Sequence, residues 1–283
     1  NNCNFLYNEN KANHSKSIMQ DSSKSFLGKY QLLSRLGTTG LASVFLAIDT
    51  NTKNTFALKV LHSYFSKQTD RTEILNQTIQ KVTNLNHANI VRVHDITEIE
   101  NHTVIVMDYL DWPNLKIRDM ETLPVKEVAR ILTQVSEGIE YAHSNGIIHR
   151  DIRPSNIFYN PVNGKVAISD FGTVPLLENS HALLTSTINT PTPNYTSPEQ
   201  IQGAPPHPQN DVYAMGTLAY ELLVGFTPFE ALNPITLLSE QLSVTPTPPS
   251  EINTSLPKEI DEIILKAIEP DPKRRYESPK KFS

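Results

Sequence analysis

The sequence predicts an α+β fold in two lobes separated by a cleft. Short β-favouring runs between turn residues dominate positions 28–109 and predict a small, mostly antiparallel β lobe with one main helix. Helical periodicity dominates positions 110–283 and predicts a larger, mainly α lobe. A chain of 283 residues is long enough to bury a core of this size without disulfides.

The small lobe is predicted from its strand-like runs. Three of them suggest an antiparallel meander, over residues 30–33, 43–47 and 55–60. A polar helix is expected over 72–85, followed by strands over 91–95 and 103–109. Residues 1–27 are rich in Asn, Ser and Lys, which predicts a flexible polar leader.

The larger lobe is predicted to open with a buried helix that ends near Gly146. Its apolar residues recur at helical spacing: Val125, Val128, Ile131, Leu132, Val135, Ile139 and Ala142. Further helices are expected over 212–224 and 256–269, separated by the proline-rich loops 205–208 and 246–249. Residues 276–283 have the pattern of another helix start.

Composition excludes several classes of function. A formal net charge of −5 gives no basic footprint, so nucleic acid is not expected as a partner. The single cysteine, Cys3, cannot form an intrachain disulfide, and a cytoplasmic location is predicted, with tethering by segments outside this chain left open. No apolar run approaches the ~18 to 20 residues that span a bilayer, so no membrane contact by this segment is expected.

The most specific segment is His149-Arg150-Asp151-Ile152-Arg153-Pro154-Ser155-Asn156. Any one of these residues is common in a solvated loop after a helix. Together and in this order they resemble the catalytic loop of bacterial eukaryotic-like (Hanks-type) serine/threonine protein kinases, and the resemblance covers roughly residues 30–276. It implies that Asp151 accepts the proton of a substrate hydroxyl and Asn156 binds a metal. Arg153 stands where the family usually has a phosphate-binding lysine.

Nineteen residues after Asp151, Ser169-Asp170-Phe171-Gly172 follows the apolar run 166–168. An Asp-Phe-Gly triplet alone is usually a turn. Its distance from Asp151 favours the family's metal-binding element instead, in which Asp170 would hold Mg²⁺ against phosphates.

A nucleotide site is implied by the glycine-containing run that starts at Leu36 and by Lys59 on a predicted strand. Each alone is weak, because a lone lysine is usually just solvated. The resemblance implies ATP and Mg²⁺ as cofactors and assigns to the nucleotide site Leu36, Gly37, Thr38, Thr39, Gly40, Val44, Ala57, Lys59, Met107, Asp108 and Leu110. A nucleotide would then occupy the cleft between the lobes.

Ser197-Pro198-Glu199 resembles the end of the family's activation segment, which separates protein kinases from small-molecule kinases. The resemblance gives Glu199, Asp211 and Arg275 structural roles, with an ion pair between Glu199 and Arg275. Most hydroxyls of the segment would be ordinary loop residues. The resemblance adds Thr192 beside Asp151 and makes Ser186 and Thr187 candidate phosphorylation sites.

Three positions depart from the family pattern. Thr39 and Ala42 replace glycines of the loop over ATP, and Thr78 replaces the helix glutamate that pairs with Lys59. Glu73 lies five residues earlier and cannot substitute without a register shift. Two functions therefore stay open. One is an ATP- and Mg²⁺-dependent kinase acting on Ser or Thr of proteins, including a second copy of itself; the other is a pseudokinase that serves as a nucleotide-regulated scaffold.

Overall fold

The structure is a computed structural model that describes residues 25–38, 42–62, 73–117, 122–172, 193–231 and 233–283. It divides into two compact units. The described residues of the first lie within 1–66 and 95–109, and those of the second within 67–94 and 110–283. The first unit carries an antiparallel sheet and the second carries the helices, which confirms the predicted α+β class.

In the described segments the sheet has six strands, in the order β1-β2-β3-β4-β6-β5. Their bounds are β1 Ser25–Leu27, β2 Tyr30–Thr38, β3 Ala42–Asp49, β4 Thr55–Leu61, β5 Val93–Ile99 and β6 His102–Asp108. Consecutive strands from β1 to β4 pair antiparallel, and β4 pairs antiparallel with β6. Residues 104–107 of β6 are all buried, so this strand is covered on both faces.

Strand β1 lies inside the segment that the sequence assigned to the leader. Leu27 is buried in the core of the sheet together with Tyr30, and Gly28 adopts φ +55° in the turn between them. Burial of this leucine offsets the entropy lost on ordering the strand. Part of the predicted leader, Ser25–Leu27, is therefore a strand of the sheet, and the rest of it lies outside the described residues.

The helices of the second unit, in chain order, are α1 Glu73–Asn84, α2 Val125–Ser144, α3 Pro198–Ile201, α4 Pro208–Val224, α5 Pro234–Ser243, α6 Pro249–Ile252, α7 Glu259–Ala267 and α8 Pro279–Phe282. A short hairpin, β7 Ile157–Tyr159 and β8 Val166–Ile168, follows α2. Within the described segments, no helix combines the length and the hydrophobicity that crossing a membrane requires.

Helix α2 confirms the predicted buried helix, because six of its seven predicted apolar positions are buried. The proline-rich stretches differ from their prediction as loops. Five helices of the described segments begin with proline, among them Pro208 of α4 and Pro249 of α6. Proline suits the first helical position because its missing N–H would have no partner there. Helix α4 therefore starts four residues before the predicted position, and α5, capped by Asn233, was missed.

Helix α1 was predicted as part of the small lobe, but its contacts group it with the second unit. Just after the helix, the backbone N–H of Asn86 donates to the Tyr141 hydroxyl at 3.4 Å. The His87 ring stacks on the Tyr141 ring with 5.0 Å between the ring centroids. Val82 packs so closely on Gly172 that a Cβ there would lie 2.8 Å from its Cγ2. These contacts attach α1 to α2 and to the residues after β8.

Helices α4 and α7 pack closely at Gly216. A Cβ at this position would lie 2.7 Å from Ala267 Cβ and 2.8 Å from Ile268 Cγ2. We expect Gly216→Ala to lower the free energy of unfolding by about 1 to 3 kcal/mol, although alanine is the better helix former by about 1 kcal/mol. Urea denaturation measures the change. In the double variant Gly216→Ala with Ala267→Gly, the clashing methyl group of Ala267 is gone. We expect the double variant to lose less unfolding free energy than the sum of the two single-variant losses, and strict additivity would contradict the proposed clash.

Candidate active site

Residues 149–156 form a loop between α2 and β7, and Asp211 of α4 holds its backbone. The carboxylate of Asp211 accepts the His149 N–H at 2.9 Å and the Arg150 N–H at 2.8 Å, and it lies 2.7 Å from His143 Nε2. Arg150 has φ +70°, a conformation that non-glycine residues rarely adopt, so these bonds stabilise a strained turn. Burial alone would raise the pKa of Asp211, but the bonds from His143 and the loop lower it.

Asp151 is fixed by Asn156 of the same loop. The Asn156 side-chain nitrogen donates to the Asp151 carbonyl at 2.8 Å and to its carboxylate Oδ2 at 2.9 Å. Burial raises the pKa of the Asp151 carboxyl, and the charge of Arg153 opposes that shift. A carboxylate of raised basicity, held in one orientation, has the properties of a general base.

The segment 169–172 lies directly beside this loop. The Ser169 N–H donates to the Asn156 carbonyl at 2.9 Å, and His149 Nε2 lies 2.8 Å from the Ser169 carbonyl. The buried ring of Phe171 meets the His149 ring edge to face at 4.5 Å. Asp170, at φ +70°, follows Ser169, so the fold brings the two predicted metal ligands onto neighbouring segments.

Asn156 and Asp170 carry oxygen donors of the type that a magnesium ion binds. Asn156 directs its side-chain nitrogen to Asp151, and its Oδ1 lies 3.4 Å from Ser155 Oγ. An amide oxygen and a carboxylate are hard ligands of the kind Mg²⁺ prefers, and the ion keeps other positions for phosphate oxygens and water.

The guanidinium of Arg153 lies 5.6 Å from the centroid of the Tyr195 ring, in a cation–π contact. The Tyr195 hydroxyl donates to the Glu221 carboxylate. Burial raises the pKa of both groups. Sequence reasoning missed Tyr195 and Glu221, and the available signal was Glu221 itself, an acidic residue inside the largely apolar run 212–224 of helix α4.

The ion pair implied between Glu199 and Arg275 is present. Two guanidinium nitrogens of Arg275 donate to the two carboxylate oxygens of Glu199 at 2.7 and 2.8 Å, and the Arg275 side chain is fully buried. The same side chain also donates to three carbonyls, those of Gln209, Glu269 and Pro270. It therefore attaches α3 to α4 and to the loop after α7.

This pair predicts a stability loss in acid. Burial alone would raise the pKa of Glu199, but the hydrogen bonds from Arg275 lower it below its ordinary value of 4.5. The stabilisation is therefore present above that value and is lost as pH falls through the lowered pKa. We expect the difference in unfolding free energy between wild type and Glu199→Gln to shrink between about pH 5 and pH 3. Denaturation at several pH values checks this, and a constant difference would contradict it.

Four predicted nucleotide contacts share one face of the first unit's sheet. Val44 lies opposite Lys59 in the β3–β4 pairing, and Ala57 lies opposite Met107 in the β4–β6 pairing. Ala57 and Lys59 are two residues apart on β4, so the four side chains point to the same side. Gly37 lies opposite Val44.

The other predicted site residues are spread through the chain. Leu36 and Thr38 lie on β2, Ala42 begins β3, and Asp108 ends β6. Leu110 is the first residue of the second unit's long segment, and Thr78 is half-buried on α1. Five predicted residues lie outside the described segments: Thr39, Gly40, Ser186, Thr187 and Thr192.

A two-lobed fold with this loop geometry defines the protein kinases. Residues 30–281 match the model of the protein kinase domain, and the chain belongs to that family. It is 32% identical over 257 residues to the serine/threonine-protein kinase PrkC of Bacillus subtilis, which covers 90% of this chain and 39% of that protein. It is 30% identical over 256 residues to the serine/threonine-protein kinase PknB of Mycobacterium leprae, and this match covers 88% of this chain and 41% of that protein. The predicted family resemblance is confirmed.

The chain spans about two fifths of the length of these curated relatives. Among solved structures, the kinase domain of Mycobacterium tuberculosis PknI is similar, with a TM-score of 0.73 and 25% identity. The match covers 93% of this chain and 96% of that one. The fold is therefore shared over almost the entire kinase domain of that protein.

Proposed function

We propose that this chain is an ATP- and Mg²⁺-dependent kinase that phosphorylates Ser or Thr residues of proteins. The observation that carries the proposal is the catalytic loop, in which Asn156 orients the Asp151 carboxylate while Asp211 fixes the backbone. Phosphoryl transfer depends mainly on positioning and on compensation of charge, and this loop is organised for both. The relatives named serine/threonine-protein kinases support the same assignment.

In this proposal Asp151 accepts the proton of the substrate hydroxyl, and its raised pKa favours that role. Asn156 and Asp170 hold Mg²⁺. Bound ATP would supply the transferred γ-phosphoryl group, and the metal would neutralise its charge. Arg153 and Lys59 contribute positive charge toward phosphates, and Thr192 is assigned beside Asp151.

Protein hydroxyls are the proposed substrates, including Ser186 and Thr187 on a second copy of the chain. The observation that supports a protein substrate is the anchored helix α3, which Glu199 and Arg275 fix in place at the end of the predicted activation segment. Because ATP is the proposed donor, we assign the domain to the cytoplasm.

The test is transfer of labelled phosphate. The purified chain is incubated with γ-labelled ATP and Mg²⁺, alone and with a generic protein substrate, beside Asp151→Asn and a sample with the metal chelated. Label on Ser and Thr that requires Mg²⁺ and Asp151 supports the proposal. Absence of label from the wild type, together with no thermal shift by nucleotide, contradicts it. Equal label in the variant would identify a contaminating kinase.

A pseudokinase scaffold is the second candidate, and Thr78 favours it. This residue lies on α1, where the family resemblance implies a glutamate that pairs with the lysine of the nucleotide site, and threonine carries no charge. A scaffold predicts nucleotide-dependent thermal stabilisation without phosphate transfer. Restoration of transfer by Thr78→Glu in an inactive wild type would assign the defect to this position.

A further inference from the structure

The peptide group between Arg150 and Asp151 is held from the side of α3 by Gln200. The side-chain nitrogen of Gln200 donates to the Arg150 carbonyl at 3.3 Å. That carbonyl and the Asp151 N–H lie in one peptide plane, which ends at the Asp151 Cα. The direction of the carbonyl therefore fixes the backbone position from which the Asp151 side chain extends. The Asp211 carboxylate accepts the N–H of Arg150, and Arg150 itself is at φ +70°.

A chain of hydrogen bonds fixes which end of the Gln200 amide faces the loop. Asn210 uses its Oδ1 to accept the His207 N–H at 2.8 Å, and its Nδ2 donates to the Glu199 carboxylate at 2.7 Å. The same Nδ2 donates to Ser197 Oγ at 3.1 Å. Since Ser197 Oγ accepts there, its hydrogen is left for Gln200 Oε1 at 2.9 Å.

The oxygen of the Gln200 amide is thereby directed to Ser197, and its nitrogen to Arg150. The direction of every bond in this chain of hydrogen bonds is set by the carboxylate of Glu199. This group is kept ionised by Arg275 and can therefore only accept hydrogen bonds. The ion pair that anchors α3 is thus connected, through Asn210, Ser197 and Gln200, to the peptide that precedes Asp151.

We infer that Gln200 is a positioning residue for Asp151: its amide holds the strained Arg150–Asp151 peptide in the orientation that phosphoryl transfer uses. The inference rests on the proposed function. In this role Gln200 contacts neither nucleotide nor substrate, so its loss should lower kcat and leave KM for ATP unchanged.

Gln200→Glu tests the inference without removing the cap of α3. Glutamate at this third helical position accepts the Ser197 N–H as glutamine does, so the capping box is retained. Its carboxylate cannot donate to the Arg150 carbonyl and instead repels it. We expect kcat to fall about tenfold, as loss of one hydrogen bond of ordinary strength implies.

Gln202→Glu is the matched control, because it adds the same charge two residues away at an exposed position. Hydrogen exchange of the backbone amides of residues 149–156 is measured on all three proteins beside the kinetics and the melting temperature. We expect faster exchange and lower kcat in Gln200→Glu alone, with a melting temperature close to that of the control.

Two results would overturn the inference while leaving the proposed function intact: kcat within twofold of the control, or a loss of kcat without faster exchange in the loop. If the wild type transfers no phosphate, the proposed function fails. Hydrogen exchange of residues 149–156 then still tests whether Gln200 holds the loop. Equal exchange in Gln200→Glu and Gln202→Glu then rejects the positioning role, and faster exchange in the former supports it.

Discussion

Replacing Asp151 with asparagine is expected to lower kcat by about 10²- to 10⁴-fold, the usual contribution of a general base. Asparagine has nearly the same shape, and its oxygen can still accept the bond from Asn156. It cannot accept a proton. The loop therefore stays in place while the chemical step loses its base.

Steady-state kinetics and nucleotide thermal shift measure this prediction together. The thermal shift by nucleotide should persist in the variant, because the predicted nucleotide contacts are unchanged. Asp95→Asn makes the same chemical change at an exposed site on β5 and should leave kcat at the wild-type value. Activity of the Asp151 variant within tenfold of wild type would reject Asp151 as the base.

Replacing Asp211 with asparagine is expected to lower the free energy of unfolding by about 3 kcal/mol, as breaking a buried charged network does. The Asp211 side chain is fully buried and binds three donors through two oxygens. If the side-chain oxygen of the asparagine keeps the hydrogen bonds with His143 and His149, its side-chain nitrogen faces the Arg150 N–H. Two hydrogen-bond donors then point at each other and the bond to Arg150 is lost. The strained turn at Arg150 then loses its main support.

Urea denaturation of the variant, with Asp95→Asn as the control, measures this loss. The kinase assay should show a fall in kcat in the same variant at a temperature where it remains folded. A change below about 1 kcal/mol would show that the loop holds its conformation without the carboxylate, since surface substitutions commonly cost less than that.

The predictable part of this site is the part encoded in contiguous segments. The catalytic loop and the segment 169–172 were identified by residue order, and the structure places them side by side. The family resemblance implied Val44, Ala57, Lys59 and Met107 as nucleotide contacts, and the strand pairing places them on one face. Helix α2 was predicted because its apolar positions repeat with a single period.

Apart from the Glu199–Arg275 ion pair, which the family resemblance implied, the long-range partners were not predicted from the sequence. Tyr195 and Glu221 are hydrogen-bonded although they are 26 residues apart in the sequence, and Gln200 and Arg150 are hydrogen-bonded although they are 50 residues apart. Residues of these types occur in ordinary loops and helices, so nothing local identifies their partners. The prolines that begin helices were interpreted as loops for a related reason, because proline favours both structures and only the residues that follow decide between them.

The sequence by itself determined the family, the main strands and helices in their chain order and the identity of the proposed base, because these depend on local pattern and on residue order. The tertiary structure decided how the base is held. Asp211 accepts the N–H of the strained residue Arg150 and Gln200 donates to its carbonyl, and α1 joins the helical unit through Tyr141 and Gly172. These arrangements depend on packing between segments far apart in the chain, where the energy of each contact exists only after the fold has brought its partners together.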